Sequence, residues 1–228
     1  MANPGGFTVW LTGMLGAGKT TLAEYVAARL RQVGRNVEIL DEETLAPVLW
    51  KEVGDSKEDR LTIGRRIGFV ADMLTRNDVC TLVAAVSPYK SVREENRRLI
   101  GRYVETYVDC PTEKLIQRDS TGKYKKALSG EIPNFIGITE PYEPPNSPEV
   151  TVHSDTEPVE EGGRKIFQAL LNLGYVTVDE LKTITGKRMK AEPMPRRGAG
   201  KGARGARPRP ARRAARIAKP KAAGKKRR

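Results

Sequence analysis

Short apolar runs alternate with stretches of helical periodicity along most of the chain. Five runs have the length and composition of strands: residues 7–12, 37–40, 79–86, 103–108 and 150–152. Apolar residues at helical spacing, such as Leu22, Val26 and Leu30, predict helices over residues 21–33, 58–74, 91–100 and 159–173. Weaker patterns predict a short helix over residues 45–50 and another that follows Pro111 and runs through Arg118. This alternation predicts an α/β fold in three layers with a mainly parallel sheet.

The segment between the first strand and the first helix fits the phosphate-binding pattern G-x-x-x-x-G-K-[ST]. Its members are Gly13, Met14, Leu15, Gly16, Ala17, Gly18, Lys19 and Thr20, and Thr21 follows them in the helix. In such a P-loop, backbone N–H groups surround phosphate oxygens, the lysine adds a mobile positive charge and the hydroxyl can hold Mg²⁺. The complete pattern, with a strand before it and a helix after it, predicts that the chain binds ATP or GTP.

Three carboxylates follow the second predicted strand. They are Asp41, Glu42 and Glu43. Open α/β sheets bind their ligands at the carboxyl ends of the strands, so these side chains are expected near the phosphates.

Charge divides the chain into two parts. Residues 187–228 contain 18 of the 41 Lys and Arg residues and one of the 28 acidic residues, which leaves a net charge of −4 on residues 1–186. We therefore predict a folded nucleotide-binding domain over residues 1–186 and a disordered basic tail over residues 187–228. The tail is expected either to increase solubility or to attract nucleic acid and other polyanions nonspecifically.

Cellular location is predicted from what the sequence lacks. No apolar run approaches the length of a membrane span, and the N-terminus has no secretory signal pattern. Cys80 and Cys110 lie in or beside apolar strands, which favours buried reduced thiols. We expect a cytoplasmic protein with no membrane partner.

Residues 119–149 are rich in Gly, Pro, Lys and Tyr and have no clear periodicity. A loop of this length inside a compact domain is usually either a functional lid or disordered. As a lid, the segment would close over the bound phosphates and exclude water.

Many ordered motifs resemble the adenylylsulfate kinases (APS kinases) over residues 6–175. They include Glu58-Asp59-Arg60, Arg65-Arg66-Ile67-Gly68, Ser87-Pro88-Tyr89-Lys90, Tyr107-Val108-Asp109, Tyr124-Lys125-Lys126-Ala127 and Pro141-Tyr142-Glu143-Pro144. The resemblance implies a P-loop nucleoside-kinase-like domain. It also implies transfer of the ATP γ-phosphoryl group to the 3′-hydroxyl of adenosine 5′-phosphosulfate (APS), which gives the sulfate donor PAPS.

The resemblance also implies roles for individual residues. Lys19 and Thr20 with Mg²⁺ neutralise the donor phosphates, Glu43 assists at the metal, and Asp41 orients or deprotonates the acceptor hydroxyl. Ser87 matches a serine described in the family as a phosphoserine intermediate, and the alternative is a hydroxyl that lines the acceptor site. Arg118 is expected at the nucleotide. Residues expected at the acceptor are Arg60, Arg65, Lys126 and Phe135.

Departures from the family pattern fall in the acceptor pocket. Asp41-Glu42-Glu43 replaces Asp-Gly-Asp, Ala46 replaces an arginine, Asp55 replaces a stacking phenylalanine and Ile63 replaces an asparagine. These changes leave two alternatives to APS phosphorylation. One is a paralogue that phosphorylates another small nucleotide or sugar-like acceptor, and the other is a nucleotide-binding protein with a nucleic-acid-binding tail. A homodimer is a candidate assembly.

Overall fold

A computed structural model of the protein describes residues 5–186. The predicted basic tail, residues 187–228, lies outside the described residues. The described strands are β1 Phe7–Thr12, β2 Val37–Asp41, β3 Cys80–Ala84, β4 Tyr103–Asp109 and β5 Val150–His153. They form one parallel sheet in the order β2-β3-β1-β4-β5. The predicted parallel sheet is therefore confirmed.

The strands are connected by helices. The described helices are α1 Lys19–Gln32, α2 Glu42–Leu49, α3 Lys57–Thr75, α4 Lys90–Ile100, α5 Thr112–Arg118, α6 Lys123–Leu128, α7 Val159–Asn172 and α8 Val178–Thr185. The short helix α2 contains Pro47, which fits its weak helical pattern.

Alternation along β1 builds a core on each face of the sheet. Val9 and Leu11 pack in one apolar cluster with residues of α1 and α7, such as Leu30 and Ile166. Trp10 points to the opposite face and packs in a second cluster that includes residues of α3. Helices therefore cover both faces, and the predicted three-layer architecture is confirmed.

Two helices were not predicted. Helix α6 lies inside the predicted lid, begins after Gly122 at φ 71°, and has its Tyr124 N–H bound by the Asp119 carboxylate. Its six residues are too few to show a helical period. Helix α8 begins with a capping box between Thr177 and Glu180, a local signal that the apolar pattern did not reveal.

Two further expectations concern location. Cys80 and Cys110 are buried free thiols, as expected. Among residues 5–186, no helix combines the length and the apolar character that a membrane crossing requires.

Candidate active site

The P-loop follows the carboxyl end of β1, and its shape depends on glycine. A Cβ atom at Gly13 would lie 2.3 Å from the Val108 carbonyl oxygen of β4, so a larger residue cannot pack there. Gly18 has φ 93° and immediately precedes α1. Residues with a side chain rarely adopt this left-handed backbone conformation, which directs the loop into the start of the helix.

Lys19 is the first residue of α1, and its side chain folds back over the loop. Its Nζ donates hydrogen bonds to the carbonyl oxygens of Gly13 at 3.0 Å and Met14 at 2.8 Å. The residue is 8% exposed, and burial lowers the pKa of Lys19 to about 8. The ammonium is still mainly protonated at neutral pH, because that pKa lies above 7.

Asp41 ends β2 and joins two parts of the site. Its Oδ1 accepts hydrogen bonds from the backbone N–H groups of Glu43 at 3.0 Å and Thr44 at 3.2 Å, which caps α2. Its Oδ2 accepts a hydrogen bond from the Thr20 hydroxyl at 2.7 Å. The expected proximity of this carboxylate to the P-loop is therefore observed.

The donor atoms at this point suit a hard cation. Within residues 5–186, no group of three His, Cys, Asp or Glu side chains could hold a metal ion by itself. The Thr20 hydroxyl lies beside the Asp41 carboxylate, and Glu43 lines the same cavity. Mg²⁺ commonly takes one or two protein oxygens together with substrate phosphates and water, so this sparse oxygen set fits it.

A cavity of about 540 Å³ lies between the P-loop, α2, α3 and the lid. The predicted site residues that line it are Leu15, Gly16, Gly18, Lys19, Thr20, Thr21, Asp41, Glu43, Arg60 and Phe135. Further lining residues were not predicted: Trp50, Ala84, Val86 and Ile136. No local sequence motif marks these apolar residues, so only the folded structure shows that they line the cavity.

Residues 119–149 contact both sides of this cavity. Lys123 Nζ lies 3.3 Å from Glu43 Oε1, and the Tyr124 hydroxyl donates to the P-loop carbonyl of Leu15 at 2.7 Å. On the other side, the Arg60 guanidinium donates to the Asn134 carbonyl oxygen at 2.7 Å. The segment is thus placed over the phosphate-binding loop.

Arg118 lies in a smaller, adjoining pocket of about 160 Å³. This pocket is also lined by Ala17, Gly18 and Thr21, which connects it to the P-loop. The Arg118 guanidinium donates to the Ser154 carbonyl oxygen at 2.9 Å. Its position beside the loop is compatible with the expected contact to a nucleotide.

Three of the residues predicted to act in catalysis or to bind the acceptor do not line the main cavity. Ser87 is 5% exposed, has φ 41°, and accepts a hydrogen bond from Trp10 Nε1 at 3.2 Å. Arg65 is paired with Glu95 at 2.8 Å on the outer side of α3. Lys126 lies on the exposed side of α6.

The departures from the family pattern occupy three different environments. Ala46 lines the cavity. Asp55 is exposed, and its Oδ1 accepts a hydrogen bond from the Asn134 amide at 3.4 Å. Ile63 is 9% exposed and packs in the apolar cluster around Trp10. Of the three, only Ala46 directly shapes the cavity.

The parallel sheet, the lysine-bearing phosphate loop and the carboxylate at the neighbouring strand end together define a P-loop kinase. The chain belongs to the adenylylsulfate kinase family, since the family profile described as "Adenylylsulphate kinase" matches residues 5–153. It is a phosphotransferase that acts on an alcohol group.

Curated relatives support this membership. An adenylyl-sulfate kinase of Rippkaea orientalis is 50% identical over 171 residues, which cover 75% of this chain and 94% of the relative. One from a Picosynechococcus species is 48% identical over 172 residues, covering 75% and 97%.

Solved structures agree with the sequence relatives. The Mycobacterium tuberculosis APS kinase CysC in complex with AMPPNP and APS has a TM-score of 0.70 at 32% identity, covering 73% of this chain and 98% of that one. A hexameric APS kinase from Thiobacillus denitrificans has a TM-score of 0.58 at 31% identity, covering 77% of this chain and 30% of that one.

Proposed function

We propose that the protein transfers the γ-phosphoryl group of ATP to the 3′-hydroxyl of APS and releases ADP and PAPS. The observation that carries this proposal is the convergence of Lys19, Thr20 and Asp41 on one wall of a cavity whose other wall presents Arg60 and Phe135. Membership of the adenylylsulfate kinase family supplies the reaction class, and the cavity supplies room for the reacting groups.

Donor binding begins with Lys19. Its Nζ now donates to two loop carbonyls, and a triphosphate in the loop offers it stronger, charged acceptors. Phosphate oxygens also stabilise the charged ammonium, which opposes the effect of burial on its pKa. The lysine then neutralises charge on the transferred group, which spreads over the equatorial oxygens in the transition state.

Thr20, with Asp41 and Glu43 nearby, would hold Mg²⁺ together with the ATP phosphates. Bound there, the cation would supply charge neutralisation to the donor phosphates. The Thr20 hydroxyl donates its proton to Asp41, which leaves the lone pairs of its oxygen available to the cation.

Asp41 orients the acceptor hydroxyl and accepts its proton. Oδ1 stays fixed by the two N–H groups of α2, which holds the carboxylate plane in place. Oδ2 accepts the Thr20 hydroxyl and has a second lone pair that can accept a hydrogen bond from the substrate. A loose phosphoryl-transfer transition state demands positioning more than strong basicity, and a rigidly capped carboxylate suits that role.

On the acceptor side, Phe135 offers an aromatic face and Arg60 a positive charge. Ser87 is assigned a structural role, because its hydroxyl is buried against Trp10 and away from the cavity. Arg65 and Lys126 can reach an acceptor only if their side chains or the lid move. The proposal includes a cytoplasmic location, where ATP is available; a homodimer and polyanion binding by the tail stay predictions.

The proposal is tested with purified protein, ATP, Mg²⁺ and APS, by following ADP and PAPS separately by chromatography. We expect equal amounts of both products, no reaction without Mg²⁺, and no reaction with Lys19→Ala. An acceptor panel of dephosphorylated APS analogues, other nucleotides and small sugars runs in parallel. ADP formation with another acceptor, and none with APS, would contradict the proposal and favour the paralogue alternative.

A further inference from the structure

Met14 is the first variable residue of the phosphate loop, and its side chain does not face the main cavity. It lines another cavity, of about 590 Å³, together with residues from the end of β4, such as Asp109, and from the lid, such as Tyr142. In a P-loop the backbone N–H groups face the phosphates, so a side chain at this position is available for other contacts. The contact that the Met14 side chain makes is with the lid.

The Met14 side chain packs on the backbone of Gly137. A Cβ atom at Gly137 would lie 2.5 Å from Met14 Cε and 2.6 Å from Met14 Sδ, so these two atoms occupy the space that a side chain would take. Gly137 has φ 89°, a left-handed conformation that residues with a side chain rarely adopt. The phosphate loop and the lid therefore meet where a glycine on one side accommodates a long side chain on the other.

Gly137 belongs to a compact turn formed by residues 135–140. The Phe135 carbonyl oxygen accepts hydrogen bonds from the N–H groups of the last three residues of the turn at 3.0–3.1 Å, and the Gly137 N–H donates to the Glu140 carbonyl oxygen at 2.7 Å. Phe135 and Ile136, at the start of the turn, line the main cavity. A movement of the turn therefore moves this part of the cavity wall.

The backbone of Met14 contacts the residue that responds to the donor. Its carbonyl oxygen accepts hydrogen bonds from Lys19 Nζ at 2.8 Å and from the Ala17 N–H at 3.2 Å. Donor phosphates replace this carbonyl as partners of the lysine and also bind the N–H groups of the loop, which restricts its motion. Met14 thus connects the phosphate-binding groups to the turn in the cavity wall.

We propose that Met14 is a positioning residue, because it transmits donor binding from the phosphate loop to the turn at residues 135–140. Phosphates that hold the loop also fix the Met14 side chain, and the turn that packs on this side chain becomes more rigid. The wall formed by Phe135 and Ile136 is then ordered by the donor alone, which lowers the entropy cost of binding the acceptor. The inference rests on the proposed function for the identity of the donor, ATP.

Hydrogen exchange of the backbone amides in the turn, measured with and without AMPPNP and Mg²⁺, tests this coupling. Met14→Ala removes the contact with Gly137, whereas Met14→Leu keeps an apolar side chain of similar volume. Met73→Ala is the matched control, because Met73 is an exposed methionine of α3 that lines neither cavity. Calorimetry gives the AMPPNP concentration that saturates each variant.

We expect AMPPNP to slow exchange at residues 137–140 by about fivefold in the wild type, Met14→Leu and Met73→Ala, the lower end of typical coupling between two sites. In Met14→Ala the slowing should fall below about twofold, because the coupling contact is lost. A merely structural role of Met14 predicts a different result. Exchange would then be faster by the same factor with and without AMPPNP, and the ratio would keep its wild-type value.

The outcomes separate this inference from the proposed function. A wild-type protein that makes no PAPS contradicts the proposed function, while the exchange measurement still decides the inference. Equal slowing by AMPPNP in the wild type and in Met14→Ala overturns the inference, and so does a wild type in which AMPPNP leaves the turn unchanged. If Met14→Ala does not fold, Met14→Val replaces it with the same expected result, because its shorter side chain also withdraws from Gly137.

Discussion

Replacing Asp41 by asparagine should separate the catalytic role of this residue from its structural one. Asparagine keeps an oxygen that can accept the N–H groups of Glu43 and Thr44, and it is as good an N-cap as aspartate. The variant loses the negative charge at the start of α2, which is worth about 0.3–1 kcal/mol. We therefore expect the free energy of unfolding to fall by at most about 1 kcal/mol.

Activity should change far more. A positioned general base contributes roughly 10²–10⁴-fold to the rate. A hundredfold loss in kcat corresponds to about 2.7 kcal/mol in the activation free energy. KM for ATP should stay within a few fold, because the P-loop contacts of Lys19 do not involve Asp41.

The assay combines initial rates of PAPS formation with urea unfolding of the same preparations. Asp179→Asn is the matched control, since Asp179 is an exposed acid in the first turn of α8 and also loses charge at a helix N-terminus. A kcat for Asp41→Asn within about threefold of the wild type, in a folded protein that binds ATP, would refute the assignment and direct attention to Glu43.

Three further results are expected. The pKa of Lys19 is lowered to about 8, so the affinity for ATP, measured by calorimetry, should fall as the pH rises through that value. The Lys19→Met variant should show a flatter pH profile, and a wild-type affinity that does not change above this pH would contradict the prediction. Tyr124→Phe removes the hydrogen bond to the Leu15 carbonyl and should destabilise the protein by about 1 kcal/mol in urea unfolding, whereas no change would show that water replaces it. Glu180→Ala removes the carboxylate that lies 2.6 Å from the buried Arg35 guanidinium, and it should lower the free energy of unfolding by about 3 kcal/mol. A loss below about 1 kcal/mol would show that the carbonyl contacts of Arg35 are sufficient to stabilise its charge.

Sequence patterns predicted the parts of this protein that depend on periodicity. The five strands and the main helices follow from apolar spacing, and the fold class was correct because buried parallel strands alternate with amphipathic helices. The proximity of Asp41 to Thr20 was predicted from the rule that open α/β sheets bind ligands at the carboxyl ends of their strands. The short helices α6 and α8 depend on caps such as Thr177, which carry no period.

Side-chain direction within the site could not be predicted in the same way. The Ser87 hydroxyl accepts a hydrogen bond from the buried Trp10 of β1, and Ser87 does not line the main cavity. Arg65 was expected at the acceptor, but Glu95 on the facing helix α4 engages it outside the cavity. Trp50 enters the cavity wall only because the chain turns after α2. The contacts of Ser87 and Arg65 join residues that are distant in sequence, which no local pattern reveals.

The bond between Arg60 and the lid has a consequence for how affinities are interpreted. Arg60 is engaged by the Asn134 carbonyl in this arrangement, so an acceptor that uses the guanidinium must exchange one partner for another. The measured dissociation constant of that acceptor then equals the intrinsic value divided by the fraction of molecules in which the lid is displaced. Weak apparent binding can therefore coexist with a strong contact once the complex has formed. The selectivity for an acceptor then depends on the conformational equilibrium of residues 119–149 as well as on the contacts that the acceptor makes.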